Sequence, residues 1–209
     1  MADQGWIPGL APWQVRGTQT LSTHRIFRVL EDEVTDAAGE RAGRFVRLAC
    51  PDWVNVITLR DDGCVALVEQ YRHGTREVTL EIPGGMVDGD ELPLEAAIRE
   101  LREETGLRAS HWHAIGTMSA NPAFQDNRCT TFVAWWARGA CAPAPDAHEE
   151  LRLHWVPLAQ VGAWVVDGTL HHGVVVAALL RYHLWAGGWV VPDLGAGLSW
   201  TEAWVEDPG

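Results

Sequence analysis

The chain contains no lysine; all sixteen of its basic residues are arginines. That absence removes the amine needed for Schiff-base chemistry and the lysine of a Walker-type phosphate loop. Positive charge is scarce as well: 28 acidic residues give a net charge of −12, which argues against nonspecific nucleic-acid binding. It does not exclude a phosphorylated ligand, because a bound cation inverts the local field. Cysteine is sparse and scattered (Cys50, Cys64, Cys129, Cys141), with no CxxC pair. Free buried thiols in a reducing compartment are the expectation. His111 and His113, or His171 and His172, have no cysteine or histidine partners at ligand spacing, so a soft-metal site is not expected. The first residues lack a basic stretch followed by an apolar core, and no apolar run is long enough to span a bilayer. A cytoplasmic protein with no membrane contact is therefore expected, without internal repeats or low-complexity linkers.

What is present is an ordinary globular composition. The 209 residues are 47% apolar and 21% charged, enough for one good-sized domain with a substantial core. Twelve tryptophans are many for this length. Most are expected in the core or at an interface.

One stretch carries the chemistry: Gly85 to Leu107, GMVDGDELPLEAAIRELREETGL. Leu94, Ala97, Ile98 and Leu101 recur at three- and four-residue spacing, which predicts an amphipathic helix over Pro93 to Thr105. Pro93 suits the first turn and Gly106 is a natural stop. Leu92 is a poor cap, which Glu95 can offset by reaching back. Glu100, Glu103 and Glu104 then fall near one another on one face. Like charges at that spacing repel. A hard divalent cation that takes carboxylate oxygens, water and substrate phosphate would remove the repulsion. An isolated acidic run would read as a solvated helix face, with Arg99 and Arg102 as ordinary partners. The fixed spacing behind the turn Ile82-Pro83-Gly84-Gly85 points instead to a site.

Gly85, Glu91, Arg99, Glu100, Leu101, Glu103, Glu104, Gly106 and Leu107 together match the Nudix box at every fixed position. The chain thus resembles the Nudix hydrolases. The resemblance implies an α/β/α sandwich with a mixed sheet and hydrolysis of a nucleoside diphosphate linked to another moiety. It implies Mg²⁺, or Mn²⁺ in its place, held by the carbonyl of Gly84 and by Glu100 and Glu104. Glu103 is then a ligand or a water-positioning residue, and Glu91 pairs with Arg99 to hold the loop on the helix. VEQYRHGTREVTLEIPGG, just before the box, is similar to the corresponding stretch of ADP-ribose and nucleoside-diphosphate-sugar pyrophosphatases. Arg72 within it reads as a surface cation or as a phosphate or sugar contact. Glu81 reads as a substrate or water contact or as an arginine's partner. Pro122 stands where the ADP-ribose subgroup tends to carry a proline. Glu150, with Glu149 as runner-up, matches a loop glutamate that activates water in some members; the plain alternative is a solvated loop carboxylate.

Around the box, strands are expected in the segments 13–22, 24–34 and 41–49, with a turn at Asp36-Ala37-Ala38-Gly39. Residues 1–50 form an N-terminal antiparallel sheet that the resemblance implies builds a homodimer. Trp53 to Leu59 and Cys64 to Tyr71 read as a strand pair turning at Asp61-Asp62-Gly63. Strands at 113–119, 129–137 and 151–156, then helices at 157–167 and 172–185, complete a hydrolase domain over 51–186. The tail, with Trp189, Trp200 and Trp204, is unassigned. Trp13 and Phe124 are candidates for stacking on a base, though packing roles fit them better. Three functions compete: a pyrophosphatase of ADP-ribose or another nucleoside-diphosphate sugar, a Nudix hydrolase of dinucleoside polyphosphates, coenzyme A or damaged nucleotides, and a non-catalytic sensor. The EQYR strand and the N-terminal sheet favour the first, and the intact glutamates disfavour the last.

Overall fold

The computed structural model describes residues 9–145 and 150–187. His148, Glu149 and the three tail tryptophans lie outside them. The chain divides into two units, Met1–Pro51 with Asn121–Asn127, and Asp52–Ala120 with Arg128–Gly209.

The first unit is an antiparallel sheet of β1 (Gln14–Thr23), β2 (Arg28–Thr35) and β3 (Ala42–Ala49), in that order. Asp36 turns the chain between β2 and β3: its carboxylate accepts from the Glu40 N–H at 2.8 Å and from Arg41 Nε at 2.8 Å. Asp32 on β2 takes Thr18 Oγ1 at 2.7 Å and Arg47 Nε at 2.6 Å. Arg47 also reaches Asp126 at 2.5 Å. Asp126 further accepts from the Cys50 N–H at 3.1 Å, which is why the segment 121–127 belongs with this sheet and not with its sequence neighbours. The boundary expected at residue 50 therefore omits one insertion. Val15, Phe45 and Val46 on this sheet are more than half exposed.

The second unit contains β4 (Trp53–Thr58), β5 (Cys64–Arg72), β6 (Glu77–Glu81), β7 (Gly84–Met86), α1 (Pro93–Thr105), β8 (Leu107–Arg108), β9 (His111–Ser119), β10 (Arg128–Trp135), β11 (Arg138–Gly139), β12 (Leu151–Pro157), α2 (Leu158–Asp167) and α3 (Gly173–Ala186). One sheet has the order β7-β4-β10-β9, with β4 and β10 parallel and the other pairs antiparallel. A second has the order β12-β5-β6. This is the expected mixed α/β architecture with one correction. β4 and β5 do not form a hairpin ladder; an isolated Leu59–Val65 bridge and the Arg60 N–H to Cys64 carbonyl bond close the corner, and the strands lead into different sheets. Both are buried almost throughout. Each sits in the middle of its own sheet, which a continuous apolar run favours over an exposed hairpin.

Two apolar clusters flank β4 and β10. Val54, Val56, Phe132 and Ala134 pack with Ala96, Ala97 and Leu101 of α1. Ile57 and Val133 point the other way, with Val175, Ala178 and Leu179 of α3. Strand alternation thus sends one set of side chains to each helix layer. The ends of α1 follow the sequence reading. Glu95 Oε2 accepts from the Leu92 N–H at 2.9 Å, and the Gly106 N–H closes on the Arg102 carbonyl at 2.8 Å.

Gly106 has φ +68°, and a methyl group there would overlap the Cys141 carbonyl. Gly106→Ala is expected to destabilise the fold by at least about 1–2 kcal/mol, from the left-handed backbone alone. Urea unfolding would read this as a lower midpoint at unchanged slope. An unchanged midpoint would show that the turn does not constrain the helix end.

Candidate active site

β7 runs along the edge of its sheet, with Asn55 opposite Gly84 and Val54 opposite Gly85. Neither glycine has room for a side chain. A methyl at Gly84 would overlap the Val54 carbonyl, and one at Gly85 would overlap the Glu100 carboxylate. Glycine is required here for close approach of backbone to helix. That approach lets the Gly84 N–H donate to Glu104 Oε2 at 3.0 Å. Glu104 is only 6% exposed.

Arg99 ties the loop after β7 to α1. Its Nε and Nη2 donate to the two oxygens of Glu91 at 3.0 and 2.9 Å, and Nη2 also donates to the Met86 carbonyl at 2.9 Å. Nη1 donates to Glu100 Oε1 at 2.8 Å and to Glu103 Oε2 at 3.1 Å. Hydrogen bonding to Glu91 outweighs burial and raises the guanidinium's already high pKa. The same contact holds the Glu91 carboxyl below its ordinary value.

Among the described residues, no group of three His, Cys, Asp or Glu side chains forms a ready-made metal cage. The helix face does bring Glu100 and Glu104 to the Gly84–Gly85 turn, but Arg99 lies between Glu100 and Glu103. A guanidinium here relieves the repulsion for which the spacing suggested a metal. The donors are nonetheless all hard oxygens, from three carboxylates and a backbone carbonyl. That set suits a Mg²⁺- or Mn²⁺-type ion. Buried Glu104 against the glycine turn fits such an ion.

Arg72 and Glu81 come together across the β5–β6 ladder. Arg72 Nε and Nη2 reach the two Glu81 oxygens, each at 2.7 Å, and Thr79 Oγ1 donates to Glu81 Oε1 at 2.7 Å. Glu81 is 3% exposed. Burial alone would raise its pKa; the Arg72 fork and the Thr79 hydroxyl outweigh it and hold the carboxyl below its ordinary value. His172 Nδ1 stands 3.9 Å away, and burial pushes that imidazole's pKa down despite the carboxylate. Both oxygens of Glu81 are thus engaged by Arg72, whose side chain is 42% exposed. Glu81 orients Arg72, and Arg72 is the group that meets solvent.

Glu150 is exposed just ahead of β12 and makes no hydrogen bond or ion pair among the described residues. Leu151 lies opposite Gln70, so Glu150 stands at the end of β5 that carries Arg72. Trp13 meets Phe45 edge-on at 6.2 Å with the Arg41 guanidinium 5.3 Å from its ring, so it packs within the first unit. Phe124 is 44% exposed in the segment 121–127. The sequence reading missed Thr79, His172 and the Met86 carbonyl. Thr79 was detectable, since residues i and i+2 of a strand share a face with Glu81. His172 comes from a distant helix start and gave no local signal.

A mixed α/β core with an arginine-clamped acidic helix under a glycine turn defines a Nudix hydrolase. The NUDIX domain matches residues 51–179, and the chain belongs to that family. Hydrolases of this family generally need divalent metal ions. The chain is 31% identical over 179 residues to the ADP-ribose pyrophosphatase of Mycobacterium tuberculosis, covering 84% of this chain and 85% of that protein. It is 29% identical over 117 residues to the methanol dehydrogenase activator of Bacillus methanolicus, covering 56% and 63%. A solved ADP compounds hydrolase shares the fold, with TM-score 0.76 and 24% identity over 88% of this chain and 99% of that one.

Glu81 gives a pH signature. Its folded pKa lies below the ordinary value of 4.5. Its contribution to stability is therefore full above pH 4.5 and is lost as the pH falls through the lower, folded value. Glu81→Gln should lower the urea midpoint at pH 7, and the gap from wild type should shrink below about pH 4. A gap independent of pH would rule out the ion pair as its origin.

Proposed function

We propose that this chain hydrolyses the diphosphate bond of ADP-ribose or another nucleoside-diphosphate sugar, giving a nucleoside monophosphate and a sugar phosphate. The carrying observation is the apposition of Glu100 and Glu104 to the Gly84–Gly85 turn, with Glu103 joined to Glu100 through Arg99. The relative named ADP-ribose pyrophosphatase supports the substrate class. The net charge of −12 supports a small-molecule ligand over nucleic acid. Four free cysteines support a reducing compartment such as the cytoplasm.

The Gly84 carbonyl, Glu100 and Glu104, with Glu103, would hold Mg²⁺, for which Mn²⁺ can substitute. Bound there, the ion offsets charge that develops on the phosphoryl oxygens. Arg72, aimed by Glu81, contacts a phosphate or sugar oxygen. Glu103 or Glu150 takes a proton from the attacking water. The water's hydroxyl joins one phosphorus, the bridging P–O bond breaks, and the departing phosphate takes the proton. Gly85, Glu91, Arg99 and Gly106 hold the helix and loop in place.

Chelation should abolish activity and leave folding intact, because Arg99 already balances Glu100 and Glu103. Glu104→Gln keeps size and helix propensity and should lower kcat by about a hundred- to a thousandfold. Glu150→Gln should lower kcat while leaving the Mg²⁺ dependence unmoved. Steady-state kinetics across a Mg²⁺ titration check all three. Wild-type kcat in Glu104→Gln would remove the metal assignment; in Glu150→Gln it would remove only that proton acceptor.

The three-stranded sheet leaves Val15, Phe45 and Val46 exposed, and such a surface favours association. We infer a homodimer built on this sheet. Light scattering at micromolar concentration should give twice the chain mass for wild type and the chain mass for Phe45→Glu. A wild-type monomer would refute the dimer.

A further inference from the structure

His171 and His172, just ahead of α3, face two glutamates of β6. His171 Nε2 stands 3.5 Å from Glu77 Oε2, and His172 Nδ1 stands 3.9 Å from Glu81 Oε2. The two pairs differ in their surroundings. The side chains of His171 and Glu77 are 46% and 59% exposed, so water screens them. Glu81 is buried, and the Nδ1 atom of His172 is buried with no hydrogen bond among the described residues.

The acceptor count on Glu81 gives this nitrogen a partner. An ionised carboxylate offers about four acceptor positions. Oε1 takes Arg72 Nε and the Thr79 hydroxyl, and Oε2 takes Arg72 Nη2. The position left over is on Oε2, the oxygen that His172 Nδ1 approaches. His172 also occupies the capping position of α3, yet its side chain makes no capping hydrogen bond. The ring serves Glu81 and not the helix end.

We propose that His172 is a positioning residue for substrate binding: it donates to Oε2 of Glu81, steadies the Arg72 fork and, when protonated, adds a positive charge beside Arg72. The proposal rests on the reading of Arg72 as a contact for a phosphate or sugar oxygen. With the imidazole neutral, the charges of Arg72 and Glu81 cancel. With it protonated, one net positive charge remains and attracts a diphosphate. The groups that face His172 are Glu81 and Arg72 from the strands and His171 beside it, which itself faces Glu77. Burial is the largest influence and moves the protonation of His172 below its ordinary value of 6.5; Glu81 opposes this, and Arg72 and His171 add to it. The extra charge therefore appears on the acid side of neutrality. Glu81, whose carboxyl is held below its ordinary value, stays ionised there.

The test measures KM and kcat for ADP-ribose at saturating Mg²⁺ from about pH 7.5 to about pH 5.5, the range in which a histidine changes charge. Wild type is compared with His172→Gln and His172→Leu. In wild type KM should fall about two- to fivefold toward acid, the scale of a partly screened ion pair. Glutamine keeps an amide donor but takes no proton, so its KM should match the neutral wild-type value and stay flat. Leucine loses the donor as well, so its KM should be higher at every pH and equally flat. The pH course of kcat should be shared by all three, since the carboxylate site is untouched. His171→Gln should keep the acid fall in KM. A wild-type KM that does not fall, or one that falls equally in His172→Gln, would overturn the proposal. A second readout needs no substrate. The imidazole titration of His172, followed by NMR, should move to lower pH in Glu81→Gln, and an unmoved titration would overturn the contact. ADP-ribose left intact at every pH while that titration moves would sink the substrate reading and leave the His172–Glu81 contact standing.

Discussion

Arg99 is the contact on which the site depends. A single guanidinium takes both oxygens of Glu91, the Met86 carbonyl, and one oxygen each from Glu100 and Glu103. Five N–H donors in a fixed fork make this possible, and a lysine ammonium could not span the same acceptors. The loop that leaves β7 is thereby locked to the first turns of α1. The position of the Gly84–Gly85 backbone relative to the helix carboxylates follows from that lock.

The second constraint is steric. Gly84 is pressed against β4 and Gly85 against Glu100, so the turn is squeezed between sheet and helix. Leu101 and Ala97 have no exposure and set how deep α1 sits. The apolar face of the helix thus determines where its acidic face meets the glycines. Packing places Glu104 beneath the Gly84 N–H.

Much of this was legible in the sequence because the signals were local. The helix limits, the αL glycine at 106 and the Glu95 reach-back all follow from residues within one or two turns of each other. The β4–β5 relation was misread because a three-residue Asp-Asp-Gly corner looks the same whether the strands pair or diverge. What decides between them is burial of both faces, through partners such as β10 that lie over seventy residues away. The Arg72–Glu81 fork was half legible. Each residue stood out by itself, but their pairing needs the β5–β6 register, which the turn of residues 73–76 does not fix. The approach of His172 to Glu81 was invisible, since the two come from separate stretches of chain. The segment 121–127 joined the first unit for a similar reason: Asp126 meets Arg47 from seventy-nine positions away.

Arg99 also separates folding from metal chemistry. Without compensation, Glu100 and Glu103 would repel each other by a few tenths of a kcal/mol, which a bound ion could offset. With the guanidinium between them, the helix is electrostatically settled before any ion arrives. A divalent ion held as proposed would have to compete with Arg99 for oxygens of Glu100 and Glu103. That competition would lower the affinity of the proposed site, and phosphate oxygens of a bound substrate would offset it. Such an arrangement favours an ion that binds with its substrate over one held permanently. It ties the charge of the acidic helix to the presence of the molecule on which the enzyme acts.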